Sequence, residues 1–242
     1  MEDNISKLEK KILMQEKTSQ QILGVFLIIV SVLNILEAVA KISIRLFISD
    51  TAFIGSVETV IAYIKLFFIA AIYFFCLMRM KKLYFHSPYV RKLLYIWGII
   101  LVPIQVIYEI GIELYNRMLG IVWIVLNQTY SVNNDAFYTM FYSSSHGFKY
   151  MGMFIGVVIG IIATGFILER RGLVVISFMM MVVFVASAFV INMSTLSLDV
   201  LSVNVGVNAT AVIFHSLMTV GLFILGFFIV RSYEDNPVAI EK

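Results

Sequence analysis

Glu109 and Glu113 stand one helical turn apart in IQVIYEIGIELYNR, residues 104–117, directly after the apolar run LLYIWGIILVP. Carboxylates in such a setting can hold a cation, a proton or a partner's ammonium group, and water or a counter-charge must keep them there. Gln105, Glu109, Glu113 and Arg117 recur every four residues and therefore share one helix face. The resulting polar stripe is about 18 Å long. Arg117 can neutralise Glu113 as an i, i+4 pair. Gln105 can hydrogen-bond Glu109 but cannot cancel its charge.

Two more apolar segments carry ionisable side chains. Ser31, Asn34, Glu37, Lys41 and Arg45 follow at three- or four-residue steps, with Glu37 and Lys41 placed as an i, i+4 pair. Glu58 and Lys65, seven residues apart, fall on roughly one face of the next segment. Glu37, Glu58 and Glu109 each lie about a turn and a half inside the outer end of their helix, as does His215 further along. Lys65 lies deeper. Four helices thus bring polar groups to one layer. The expectation is a hydrated cavity open to the outer side, lined by Glu37, Glu58 and Glu109 with Lys65 as its floor. Structural alternatives stand beside it. Glu113, Lys41 and Arg45 can snorkel to the interface, a pair such as Glu58–Lys65 can simply fasten helices, and His215 can be a packed, hydrogen-bonded histidine.

These residues need long apolar helices to hold them. Of the 242 residues 61% are hydrophobic and 14% charged, with a mean hydropathy of +0.95. A soluble domain is nearer 45–50% apolar and about 25% charged. The expected fold class is an all-α integral membrane protein in contact with the lipid bilayer. Six stretches have spanning length: about 21–42, 53–78, 93–115, 150–168, 173–193 and 209–230, the fourth and fifth joined by the turn ERRG. Thirteen Lys and Arg fall at the ends on one side and four on the other. That bias places both termini in the cytoplasm, and a plasma or cytoplasmic membrane is the expected location. Residues 1–20 read as an amphipathic cytoplasmic helix, with Ile5, Leu8, Ile12 and Leu13 at helical spacing, lying on the membrane surface or solvated before the first span. The membrane domain covers 21–230 and the cytoplasmic tail 231–242.

The outer segment 116–149 holds an apolar patch, Leu119 to Leu126, too short to span. It reads as a re-entrant or interfacial piece. Its aromatic residues fit an interfacial belt, and the functional alternative is a lid over the cavity. Pro103 interrupts the third span less than two turns before Glu109 and is expected to kink it.

Gly152, Gly156 and Gly160, with Thr164 on the same face, form a G-x-x-x-G-x-x-x-G ladder. Small residues at this spacing let helix backbones approach closely, within the chain, in a homo-oligomer or against a partner membrane protein.

A net charge of +3 without a basic cluster gives no reason to expect nucleic acid. A single cysteine, Cys76, and three scattered histidines offer no metal site, and no cofactor motif occurs. No nucleophile–base pair or soluble catalytic domain stands out, so catalysis is not the first expectation. The leading expectation is a transporter, channel or permease subunit handling a small polar or cationic solute. The alternative is a non-catalytic accessory, sensor or assembly subunit docking through the glycine ladder. An intramembrane enzyme is a weaker third reading.

Overall fold

The computed structural model describes residues 2–47, 51–84, 87–130, 153–195 and 215–231. Among them every regular element is a helix. In chain order these are α1 (Glu2–Phe47), α2 (Thr51–Lys81), α3 (Pro88–Leu101), α4 (Pro103–Tyr130), α5 (Met153–Ile167), α6 (Arg171–Thr195) and α7 (His215–Arg231). The chain divides into two compact units, residues 1–102 with 219–242, and residues 103–218.

Among the described residues three stretches are long and apolar enough to cross a bilayer: Ile5–Ile44, Val57–Lys81 and Pro88–Tyr108. Met153–Ile167, Arg171–Val183 and His215–Arg231 are apolar but shorter. Large apolar side chains stay exposed along the spanning helices, Phe67 at 71% and Phe75 at 64% among them. Water would penalise such faces and lipid would not.

α1 has 46 residues without interruption. At 1.5 Å per residue that is about 69 Å, more than twice the hydrocarbon thickness. The amphipathic segment 1–20 is therefore the first part of the same helix that carries the first apolar stretch. No proline or glycine lies between residues 2 and 23 to separate them.

α3 starts at Pro88, where the missing N–H costs nothing, with Ser87 as N-cap. It ends at Leu101. Val102 takes φ −120° and ψ −74°, because the residue before a proline is disfavoured in the helical region. The expected interruption at Pro103 is thus a one-residue break, and Pro103 opens α4. α4 then continues through 28 residues to Tyr130. This replaces the expected end near residue 115: the Leu119–Leu126 patch is part of a continuing helix, with no proline between residues 104 and 130 to stop it. The rest of the outer segment, 131–149, lies outside the described residues, as does the tail beyond Arg231.

α5 and α6 meet at the ERRG turn as a Schellman closure. Arg170 N–H donates to Gly165 O at 2.8 Å and Glu169 N–H to Phe166 O at 3.3 Å. Glu169 occupies the left-handed position, φ 54°, usually held by glycine.

In the first unit α1 packs on α2, α3 and α7. Leu23, Phe26, Leu27 and Val30 of α1 are fully buried, a run at three- and four-residue spacing that makes one stripe. Ile69 of α2, Trp97 of α3 and Leu222 and Leu225 of α7 belong to the same core. α1 and α7 run antiparallel, since Gly24 lies against Gly226 and Ser31 against Thr219.

Candidate functional site

The stripe on α1 continues from the apolar core as Ser31, Asn34 and Glu37, all buried, at 0%, 2% and 7% exposure. Burying three polar side chains in a row is costly unless each is bonded. Ser31 Oγ donates to the Thr219 carbonyl of α7 at 2.8 Å. Lys65, buried on α2, reaches across to α1, where its Nζ donates to Glu37 Oε2 at 2.5 Å and to Asn34 Oδ1 at 3.3 Å. The other carboxylate oxygen, Glu37 Oε1, takes Lys41 Nζ at 2.7 Å. Asn34 and Glu37 are three residues apart, so their oxygens lie on one face and converge on a single ammonium group. Glu37 is thereby held between two cations, one buried and one partly exposed.

Lys65 and Glu37, both read from the sequence, are brought together, and the i, i+4 pair with Lys41 is present. The arrangement differs from a cavity floor with a facing carboxylate: Lys65 and Glu37 are in direct contact. Glu58 is half-buried on α2, two turns from Lys65. Gln105 is buried near the start of α4, and its Oε1 has no hydrogen-bond partner. The side chain of Glu109 lies outside the described residues, so the Gln105–Glu109 contact does too. His215 is half-buried in the first turn of α7. Gly152 lies outside the described residues, Gly156 is half-buried and Gly160 is buried. Thr164 Oγ donates to the Gly160 carbonyl at 2.8 Å, turning this threonine back onto its own helix. Among the described residues no group of three or more His, Cys, Asp or Glu side chains is placed to hold a metal ion.

Gly24, Gly98 and Tyr73, which brace this site, went unread in the sequence. A side chain on Gly24 would place its Cβ 2.6 Å from Val230 Cγ2 and 2.7 Å from Gly226 O. One on Gly226 would sit 2.7 Å from Gly24 O. The two glycines therefore let α1 and α7 touch backbone to backbone. The signal is present but split: Gly24 precedes Ser31 by seven residues, and Thr219 precedes Gly226 by seven. Gly98 of α3 makes room for the Tyr73 ring of α2, which would overlap any Cβ there. The same ring packs on Phe26 with centroids 5.8 Å apart. Tyr73 thus ties α1, α2 and α3 together two turns from Lys65.

Compared with known protein families, curated proteins and solved structures, the chain matches none.

Proposed function

We propose that this chain is a multi-pass membrane transporter, channel or permease subunit that handles a small polar or cationic solute at the Glu37–Lys65 site. The observation that carries the reading is the ion pair itself, at 2.5 Å between two helices of spanning length. Ionisable groups at membrane depth are expensive and usually mark solute or ion pathways. Replacing such a pair by packed apolar residues is often neutral or stabilising, so helix fastening alone is a weak reason to keep one. Glu58, on the same helix as Lys65, would extend the site along α2.

The proposed topology has six spans with both termini in the cytoplasm. The antiparallel contact of α1 with α7 supports it, because it puts the start of the first span and the end of the last at one face. The long α1 would then carry its lysine-rich first turns into the cytoplasm.

The test is flux. In proteoliposomes loaded with equal amounts of folded protein, Glu37→Gln is expected to abolish uptake of small cations. Uptake equal to wild type in Glu37→Gln would remove the site assignment. No flux with any small polar or cationic solute, together with a co-purifying membrane partner, would favour the accessory-subunit reading.

A further inference from the structure

The turn between α5 and α6 carries a groove of about 490 Å³, lined by Gly165 and Phe166 of α5, Glu169 of the turn, and Arg171, Val174 and Val175 of α6. That volume is in the range of small-ligand sites. Glu169 and Arg171 are both exposed and give the groove one charge of each sign. Among the described residues neither side chain is in an ion pair, with the other or with a third group. Arg170 stands between them in the chain and does not line the groove.

About one turn further into each helix an apolar side chain lies open, Phe166 at 69% and Val175 at 58% exposure. The groove is therefore charged toward the turn and apolar along the two helices. Gly165 lets its two arms close on each other, since a Cβ there would lie 2.9 Å from Val174 Cγ2. Glu169 is kept at φ 54°, where glycine would sit without strain.

We infer that this groove binds a zwitterionic phospholipid with a primary ammonium, a phosphatidylethanolamine, with its phosphate on Arg171, its ammonium on Glu169 and its acyl chains along Phe166 and Val175. The inference rests on the proposed membrane topology, which puts this turn at a bilayer surface, and not on solute transport. A phospholipid has the same order as the groove, two opposite charges followed by hydrocarbon. Arginine matches phosphate oxygens with a planar fork of donors, and a carboxylate accepts hydrogen bonds that an ammonium donates. A quaternary choline has no N–H to donate to Glu169. An anionic headgroup would satisfy Arg171 but set its charge against Glu169, and a lone cation would do the reverse.

The experiment uses the full chain, stripped of lipid in mild detergent and titrated with phosphatidylethanolamine, phosphatidylcholine or phosphatidylglycerol of identical acyl chains. Native mass spectrometry reads the bound fraction. Wild type should bind one phosphatidylethanolamine at least about tenfold more tightly than either of the other lipids. Glu169→Gln should bring phosphatidylethanolamine to within about twofold of phosphatidylcholine. Arg171→Gln should weaken both by about tenfold. Arg79→Gln, at the end of α2, should change neither, which separates the groove from general basic charge. Both groove substitutions are at exposed positions, and elution volume checks that they fold. Equal binding of phosphatidylethanolamine and phosphatidylcholine by wild type would overturn the inference. So would no binding, tighter binding of phosphatidylglycerol, or a wild-type preference in folded Glu169→Gln. The wild-type ratio decides alone if a variant does not fold. No phosphatidylethanolamine preference with cation uptake intact removes this site and leaves the transport reading, and a preference without uptake does the opposite.

Discussion

Glu37 is paired on both sides, with Lys65 on one carboxylate oxygen and Lys41 on the other. Its two partners are unequal. Lys41 is partly exposed and its pair resembles a surface i, i+4 contact, worth about 0.3–0.5 kcal/mol. Lys65 is buried, and removing its partner leaves a charge with only Asn34 beside it. Glu37→Gln should therefore destabilise the protein by about 3–5 kcal/mol, whereas Lys41→Gln should cost less than about 1 kcal/mol. Thermal unfolding of both variants in one detergent checks the order, and equal losses would contradict it. Ser31→Ala should cost only about 0.6 kcal/mol, the usual worth of a polar contact between membrane helices. The stripe Ser31, Asn34, Glu37 and Lys41 was legible in the sequence because helical spacing puts these residues on one face. The partner of Lys65 was not legible. Glu58 on its own helix and Glu37 on another both suit its charge, and only the packing of α1 on α2 chooses between them.

At the scale of the helices, contact is set by where backbones can approach. The glycine ladder of α5 is a sequence signal for tight packing, and a backbone-to-backbone approach is found where α1 meets α7, built on Gly24 and Gly226. Gly24→Ala should push the two helices apart and cost about 1–3 kcal/mol, because the new Cβ meets a carbonyl oxygen that belongs to the partner backbone. Gly111→Ala, with open space around it, is the control and should be neutral or slightly stabilising. Detergent-resistance half-lives would show the contrast. The α5–α6 turn offers a change of opposite sign. Glu169 holds a left-handed conformation that costs a side-chain-bearing residue about 1 kcal/mol, so Glu169→Gly should raise stability by about that amount. A fall in melting temperature for Glu169→Gly would show that its side chain contributes more than its backbone costs.

For the molecule as a whole the decisive quantity is which side each terminus faces. The antiparallel α1–α7 pair joins the beginning and end of the helical chain within one unit. In a Cys76→Ser background, Lys10→Cys and Glu241→Cys should both be labelled only from the cytoplasmic side by a membrane-impermeant thiol reagent. Labelling of the two from opposite sides would exclude an even number of spans.

The amino-acid sequence by itself determined the helices and their compatibility with lipid. A chain this apolar, with charges so sparse, cannot satisfy its backbone in lipid except by folding into helices or a closed barrel, and its apolar runs are of helix length. It also placed the polar stripe on one face of α1, since periodicity is local. Tertiary structure alone decided that Lys65 reaches Glu37 and Asn34, that Gly24 meets Gly226, and that Tyr73 rests on Gly98. Those contacts join residues 25 to 202 positions apart in the chain, and no local pattern fixes which faces of two helices meet. They depend on shape: a side chain fills the gap its partner lacks, and charges settle where their counter-charges are buried with them.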